Sequence, residues 1–313
     1  MRTLRTIAEL RTALSGPRRT GASIGLVPTM GAFHEGHLSL MRRARETCDE
    51  VVVSLFVNPT QFNEDADLDA YPRDELRDAA LAAELGVDYL FAPPVSEIYP
   101  AGFQSTVSVG ALTATLEGAG RGSAHFDGVA TVVTKLLNMV GPDVAYFGQK
   151  DAQQVLVIKR LVRDLDLPVR IEVCPIVREA DGLAMSSRNL RLSPTERERA
   201  SALNRALRAA AGAVASGERS AAVVRARALE ELNTAEIEPE YLELVSGDTL
   251  VPVDRVEGNV LALVAARIGT TRLIDNQSLS TAVPGGALGL QPRAEARRAS
   301  HPAAAGSTIT ERR

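Results

Sequence analysis

Two histidines separated by two residues form the most informative short motif of the chain. They are His34 and His37, in the stretch PTMGAFHEGH at residues 28–37. The apolar run at 24–27 predicts a strand before this motif, and apolar residues at helical spacing predict a helix that starts near His37. A helix start offers free N–H groups and a positive dipole end, and the glycines of the turn let the backbone approach a ligand closely.

The histidine motif therefore predicts a nucleotide site. Each imidazole could donate a hydrogen bond to an anionic oxygen, or a proton if it is charged. The alternative is that His34 and His37 only cap the helix and pack against it. The position of H-x-G-H directly after a strand favours the nucleotide site.

A second segment, MSSRN at residues 185–189, combines two hydroxyls with a guanidinium. It follows the polar turn 178–182, so it is predicted to lie in a loop. These groups suit a polyphosphate, because arginine can grip phosphate oxygens with paired hydrogen bonds. Taken alone the segment could simply be a solvated loop, and its interpretation depends on pairing with the histidine motif.

Two further polar segments follow predicted strands. FGQKDAQQ at residues 147–154 lies at a strand-to-helix junction, where parallel sheets bind ligands. Lys150 can neutralise a phosphate there, and Gln154, one helical turn further along, can face the same pocket. Asp151 could accept a hydrogen bond from a ribose hydroxyl or could only cap the helix.

The other polar segment is NPTQ at residues 58–61, which follows the predicted strand 51–57. It places Gln61 beside the same crevice. An uncharged amide can bind a hydroxyl or a carboxylate oxygen without adding charge. A glutamine in a loop is more often solvated, so this prediction depends on the other three segments.

The elements that must position these segments alternate through the first half of the chain. Strands are predicted at 24–27, 51–57, 87–91, 144–147 and 169–173, and further helices at 74–85, 129–140 and 152–165. This alternation predicts an α/β fold, a Rossmann-like parallel sheet with helices on both faces.

The pattern changes after about residue 185. Helices predicted at 194–216 and 221–233 precede strands predicted at 241–245, 259–266 and 271–276. We therefore predict a Rossmann-like nucleotide-binding domain over 1–184 and a small C-terminal α+β domain over 185–280 that acts as a lid. Residues 281–313 lack apolar periodicity and are predicted to be a disordered tail.

Composition excludes several classes of protein. The 313 residues are 45% hydrophobic and 24% charged, and 35 Lys and Arg against 39 Asp and Glu argue against a broad nucleic-acid surface. No apolar run approaches the ~20 residues that span a bilayer, and no signal peptide is recognisable. Cys48 and Cys174 are expected to be reduced thiols of a cytoplasmic protein.

The order of the motifs resembles that of the pantothenate synthetase family, the pantoate–β-alanine ligases. The segments that carry the resemblance are PTMGAFHEGH (28–37), SLFVNPTQF (54–62), YFGQKDAQQ (146–154), VREADGLAMSSRN (177–189) and TRLIDN (271–276). The first and fourth also resemble the HIGH and KMSKS motifs of the nucleotidylyl-transferase superfamily, with Arg188 in place of a second lysine. The resemblance extends over about residues 4–279.

This resemblance implies an ATP-dependent condensation of (R)-pantoate with β-alanine through a pantoyl-adenylate. It also implies Mg²⁺, whose ligands it does not identify, and a homodimer. Gln61 would contact both pantoate and β-alanine, and Gln154 would contact pantoate. The candidate catalytic residues are His34, His37, Lys150 and Arg188, with His37 as the proton donor. The implied ATP contacts are Met30, Gly31, Ala32, Phe33, His34, Glu35, Gly36, His37, Gly148, Gln149, Lys150, Asp151, Val177, Met185, Ser186, Ser187 and Arg188.

One segment departs from the family pattern. The family reads Arg-Pro-Gly-His-Phe where this chain reads RGSAHF at 121–126, so a proline is missing and a residue is added. A Gly-Ser-Ala turn is looser than one with proline. Arg121 and His125 are therefore left out of the predicted site, and a locally altered pocket or some loss of activity is possible.

Three alternatives compete with a ligase. The first is a related nucleotidylyltransferase that stops after nucleotide transfer, and the second is a non-catalytic nucleotide-binding regulator, which only the altered turn favours. A fragment of an aminoacyl-tRNA synthetase is disfavoured because no basic RNA-binding domain is evident.

Overall fold

Six parallel strands form the main sheet of the structure, a computed structural model that describes residues 1–62 and 68–279. The strands are β1 (Arg2–Leu4), β2 (Ile24–Thr29), β3 (Glu50–Leu55), β4 (Tyr89–Phe91), β5 (Val144–Gly148) and β6 (Arg170–Cys174). Their order in the sheet is β1-β4-β3-β2-β5-β6. Successive strands are added on one side of β2 up to β4 and on its other side from β5 onward. A crevice therefore opens between the carboxyl ends of β2 and β5.

Helices cover both faces of this sheet. They are α1 (Ile7–Thr20), α2 (Glu35–Thr47), α3 (Glu75–Glu84), α4 (Val95–Ile98), α5 (Glu117–Arg121), α6 (Ser123–Val140) and α7 (Ala152–Asp164). Apolar residues of α1, α6 and α7 pack in one cluster with β2 and β5, while α2 and α3 pack in a second cluster on the opposite face. The predicted α/β architecture with helices on both faces is thereby confirmed.

A second, smaller sheet is antiparallel, with strands in the order β7-β8-β9. The strands are β7 (Pro239–Ser246), β8 (Val260–Ile268) and β9 (Thr271–Ser278), and the helices before them are α8 (Pro194–Ala200), α9 (Ala202–Ala215) and α10 (Ala221–Thr234). Successive residues of β8 face opposite sides of the sheet. Ala262 and Val264 pack with the helices, whereas Leu261 and Leu263 pack in a buried cluster with Phe126 of α6.

Several boundaries differ from the sequence-based expectations. The helix predicted over 129–140 begins at Ser123. The helix predicted over 194–216 is two helices that meet at Ser201, whose hydroxyl donates to the Glu198 carbonyl at 2.7 Å. β1 and α1 were not predicted. The domain boundary at 184/185 stays a prediction, and the predicted tail 281–313 lies outside the described residues.

Two further observations concern the character of the helices and the state of the cysteines. Within residues 1–62 and 68–279, no helix has both the length and the apolar character needed to cross a membrane. Cys48 and Cys174 are buried free thiols.

Candidate active site

A cavity of about 290 Å³ lies at the crevice between the ends of β2 and β5. It is bounded by the turn after β2, the turn after β5, the 177–188 segment and strand β9. The predicted site residues in its lining are Met30, His34, Gly36, His37, Gln61, Gly148, Lys150, Asp151, Gln154, Val177, Met185, Ser186, Ser187 and Arg188. The structure thus brings all four polar segments of the sequence to one place.

Three predicted residues of the first turn shape the wall without appearing in the lining. Gly31 and Ala32 both have positive φ, at 91° and 53°. This sharp turn directs the Ala32 and Phe33 amides onto the buried carboxylate of Asp78, at 2.7 and 2.8 Å. A left-handed alanine costs free energy, and these two hydrogen bonds help to hold it in place.

Two more predicted residues, Glu35 and Gln149, are not among the residues that line the cavity. The Glu35 carboxylate pairs with Arg42 on the outer side of α2. The Gln149 side chain donates to the Asn276 amide oxygen at 3.1 Å. A direct ATP contact by Glu35 or Gln149 remains a prediction.

The two histidines of the first motif are stacked at the start of α2. Their ring centroids are 4.2 Å apart. His34 is the N-cap, and its Nδ1 accepts from the Gly36 amide at 3.1 Å. Gly36 permits this approach, since a Cβ there would lie 2.8 Å from His34 Cε1. With Nδ1 accepting, the neutral ring carries its proton on Nε2 and can donate from that atom.

Both imidazoles are held in the neutral form. Burial lowers the pKa of His34, and the charge of Lys150 lowers it further. Burial, followed by the neighbouring His34, lowers the pKa of His37 to about 3. At neutral pH the pair can therefore donate hydrogen bonds without carrying positive charge.

Lys150, Arg188 and Arg121 bring fixed positive charge to the cavity lining. Lys150 Nζ lies 3.7 Å from the Asp151 carboxylate. Burial lowers the pKa of Arg188, and the positive charge of Arg121 lowers it further. Arginine nevertheless stays protonated in proteins. A bound polyanion would relieve the repulsion between the guanidinium groups of Arg188 and Arg121.

A tight turn places Val177 beside Met185. The Met185 amide donates to the Val177 carbonyl at 2.9 Å, and Arg178 and Ala184 form an antiparallel bridge between them. Ser186 then accepts from the Arg188 amide at 3.3 Å, which orients the start of the short helix Ser187–Arg191. This explains how residues eight apart in sequence reach one site.

Three glutamines, Gln61, Gln153 and Gln154, lie at the cavity wall and differ in their hydrogen-bond partners. Asn58, which is buried, donates to Gln61 Oε1 at 3.0 Å, and the Gln61 Nε2 group can donate to a ligand oxygen. Gln153 is buried and hydrogen-bonded to the Leu112 and Thr115 carbonyls. Its neighbour Gln154 lies in the cavity lining as predicted.

The segment that departs from the family pattern still contributes to the cavity. Arg121 ends α5 and His125 lies in the first turn of α6, and both line the cavity. His125 Nδ1 is 2.8 Å from the Gln61 carbonyl, and Arg121 Nε is 3.2 Å from the Glu117 carboxylate. Omitting both residues from the predicted site missed part of its wall. Their polar side chains, which follow the segment LEG at residues 116–118, were the available signal.

The carboxylates of the wall indicate how magnesium could be accommodated. The described residues hold no group of three His, Cys, Asp or Glu arranged for a metal. Magnesium in nucleotide sites needs only one or two carboxylates besides phosphate oxygens and water. Glu117 and Asp275 are bound by arginines, and Asp151 is the more exposed carboxylate of the lining. One carboxylate beside the cations Lys150 and Arg188 would fit a metal brought by a nucleotide.

The arrangement as a whole suits a polyphosphate beside a small hydroxylated acid. Neutral imidazoles at a helix start and two cations can hold phosphates. Gln61 and Gln154 can bind hydroxyl and carboxylate oxygens. Among the described residues that line the cavity, no serine or cysteine is hydrogen-bonded to a basic side chain in the manner of a covalent nucleophile.

Comparisons with known proteins show the family of the chain. The family model described as Pantoate-beta-alanine ligase matches residues 2–278. The pantothenate synthetase of Moorella thermoacetica is 54% identical over 278 residues, which cover 88% of this chain and 98% of the relative. The pantothenate synthetase of Pelotomaculum thermopropionicum is 52% identical over 275 residues, 88% of this chain and 97% of that relative.

Solved structures extend the similarity to the fold. A crystal structure of pantothenate synthetase from Thermus thermophilus has a TM-score of 0.84 and 48% identity, covering 90% of this chain and all of that one. A pantoate-β-alanine ligase from Francisella tularensis, complexed with β-γ ATP and β-alanine, has a TM-score of 0.74 and 34% identity, covering 89% of this chain and 98% of that one. The chain belongs to the pantoate–β-alanine ligase family.

Proposed function

We propose that the chain joins (R)-pantoate to β-alanine, consuming ATP and releasing pantothenate, AMP and diphosphate. The observation that carries the proposal is that a single cavity, in a chain of this family, gathers His34, His37, Lys150, Arg188 and two glutamines. Relatives bear the name pantothenate synthetase over nearly their whole length. A carboxylate is a poor electrophile, so the carboxyl group must be activated before an amine can attack it.

In the first step a carboxylate oxygen of pantoate attacks the α-phosphorus of ATP. The bond from that phosphorus to the bridging oxygen breaks, and diphosphate leaves. Lys150 and Arg188 stabilise the charge that gathers on the leaving diphosphate. His34 and His37 donate hydrogen bonds to phosphate oxygens from the start of α2. Their lowered pKa values make this a role for neutral imidazoles.

In the second step the β-alanine nitrogen attacks the acyl carbon of the pantoyl-adenylate. The carbon–oxygen bond to AMP breaks, the nitrogen loses a proton, and AMP leaves with the bridging oxygen. This step needs mainly positioning. Gln61 would hold pantoate and β-alanine and Gln154 would hold pantoate, while closure around the cavity would keep water from the anhydride.

Magnesium enters with the nucleotide in this proposal. It would neutralise phosphate charge together with Lys150 and Arg188, and Asp151 would be its protein ligand. The remaining residues of the first turn, Gly31 to Phe33, would hold its shape for ATP. The homodimer and the cytoplasmic location implied by the family resemblance are part of the same proposal.

The test is a product assay with ATP, pantoate and β-alanine, omitting each in turn. The proposal expects AMP and pantothenate in equal amounts, and neither when any substrate is omitted. A stable nucleotidyl product in place of an amide would indicate a nucleotidylyltransferase. Binding of ATP without any turnover would indicate a regulator.

A further inference from the structure

Strand β9 of the small sheet reaches the cavity wall with polar side chains that the proposed mechanism does not use. Asp275 and Asn276 are adjacent, and only 3% and 2% of their surfaces are exposed. Buried polar groups of this kind are costly unless every hydrogen bond is made. Their partners therefore indicate what the two residues do.

Asn276 is bonded to the turn that carries Lys150. Its Nδ2 donates to the carbonyls of Gln149 at 2.9 Å and Lys150 at 3.0 Å. Its Oδ1 accepts from Gln149 Nε2 at 3.1 Å. Three hydrogen bonds from one amide thus fix the backbone from which the Lys150 side chain departs.

Asp275 is bonded to the other phosphate-binding segment. Its carboxylate accepts from both terminal nitrogens of Arg178, at 2.7 and 3.1 Å. Arg178 also donates to the Gly182 carbonyl at 3.1 Å, across the turn that joins Val177 to Met185. That turn leads directly into Ser186 and Arg188. Through Arg178, Asp275 therefore holds the start of the segment that carries them.

We infer that Asp275 and Asn276 are positioning residues that set the separation between Lys150 and Arg188. Successive side chains of a strand point to opposite faces, so two adjacent residues can each hold one turn. Their Cα atoms are about 3.8 Å apart by covalent geometry, which leaves little freedom between the two turns. The inference rests on the proposed function in taking the triphosphate of ATP as the ligand that both cations grip.

A double-mutant cycle distinguishes this role from a general role in stability. The variants are Asn276→Ala, Lys150→Ala and the pair together, in the full chain. The measurement is the Kd of ATP in the presence of Mg²⁺, by calorimetry, with thermal unfolding of each variant. Gln277→Ala is the matched control, because it removes an amide from the next position of the same strand, where the Gln277 side chain donates to the Ser278 carbonyl of its own strand at 3.3 Å.

If Asn276 acts through Lys150, Asn276→Ala weakens ATP binding about tenfold alone but less than about twofold when Lys150 is already alanine. Gln277→Ala leaves the Kd unchanged. Equal losses in both backgrounds, or no loss in either, would overturn the inference. If Asn276→Ala does not fold, Asn276→Ser serves in its place, because a hydroxyl can still bond one of the two carbonyls.

Asp275→Asn tests the second half of the inference in the same way against Arg188→Ala. It keeps the shape of the side chain while weakening the pair with Arg178, and its effect on the Kd should largely disappear when Arg188 is absent. An undiminished effect in that background would remove Asp275 from the positioning role. Because these measurements use ATP binding, an inactive wild-type enzyme would refute the proposed ligase activity without deciding the positioning inference.

Discussion

The carboxyl edge of the large sheet and strand β9 of the small sheet both supply polar residues to the cavity, but they use them differently. At the edge, the ring nitrogens of His34 and His37 and the ammonium of Lys150 lie at the cavity lining with donors that a ligand can use. On β9, the polar groups of Asp275 and Asn276 are bonded to protein. The edge would therefore bind the ligand, and β9 would hold the edge in place.

The largest loss of activity is expected from a substitution at the carboxyl edge of the large sheet. Lys150→Ala removes a cation from the phosphate region and should lower kcat/KM about 10²- to 10³-fold, with little change in the melting temperature. Lys159→Ala is the matched control, since Lys159 is an exposed lysine of α7. Steady-state kinetics of both variants decide the matter. Near-normal activity of Lys150→Ala would make Lys150 a solvated surface charge.

Substitutions of His37 test whether the carboxyl edge of the large sheet acts through neutral hydrogen-bond donors. His37→Ala should slow pantoate-dependent exchange of pyrophosphate into ATP about 10²-fold, and His37→Gln should retain part of the rate as a neutral donor. Because burial lowers the pKa of His37 to about 3, the free enzyme protonates this ring only below that pH. The kcat/KM profile should therefore show no acid limb near pH 6.5 from His37. A limb there that vanishes in His37→Gln would contradict the neutral role.

The contact between Glu117 of α5 and Arg272 of β9 can be tested through its contribution to the free energy of unfolding. Burial alone would raise the pKa of Glu117, but the hydrogen bonds and charge of Arg272 outweigh it and lower the pKa from 4.5 to about 2. This stabilisation is present above pH 4.5, where the unfolded carboxyl is also ionised, and is lost as pH falls from 4.5 towards 2. Glu117→Gln should therefore lower the free energy of unfolding by about 3 kcal/mol at pH 7.

The control is the second carboxylate on the same arginine. Glu240 lies 2.6 Å from Arg272 but is more exposed, so Glu240→Gln should cost at most about 1 kcal/mol. Urea unfolding at several pH values measures both. The wild type and Glu117→Gln should converge in stability as pH falls below 4.5. A difference that persists unchanged down to about pH 2 would show that the effect is not the ionisation of Glu117.

The smallest change in stability and activity is expected from removing residues that belong neither to the carboxyl edge of the large sheet nor to β9. Removing residues 281–313 should leave the melting temperature and turnover nearly unchanged, because the segment lacks apolar periodicity and the family match ends at residue 278. Thermal unfolding and the product assay of the shortened chain measure this. A clear drop in melting temperature would mean that the segment docks on the body or on a second copy.

The same division explains what could be predicted from the sequence. Residues that line the cavity come in short motifs after predicted strands, and Lys150, Gln61 and Gln154 were predicted in that way. Asn276 and Glu117 were not assigned a role, because their partners are 127 and 155 residues away in the chain. Hydrogen bonds across such separations leave no local pattern, and only the three-dimensional arrangement of the two sheets shows them.

The prediction of secondary structure failed at two places for related reasons. The short strand β1 has three residues and pairs with β4 at the edge of the sheet, so it has too little periodicity to be recognised. The break at Ser201 arises where a hydroxyl bonds a backbone carbonyl within a run of good helix formers, a competition that helix propensity does not capture. The boundaries of long buried strands such as β2 and β3 were predicted to within about two residues.

The most direct test of the proposed mechanism follows the bridging oxygen. Pantoate labelled with heavy oxygen in its carboxylate is converted in a single turnover with ATP, Mg²⁺ and β-alanine, and AMP is analysed by mass spectrometry. If the carboxylate attacks the α-phosphorus in this cavity, AMP gains one labelled oxygen per pantothenate formed. Label in inorganic phosphate, with ADP formed in place of AMP, would contradict the adenylate and indicate an acyl-phosphate route.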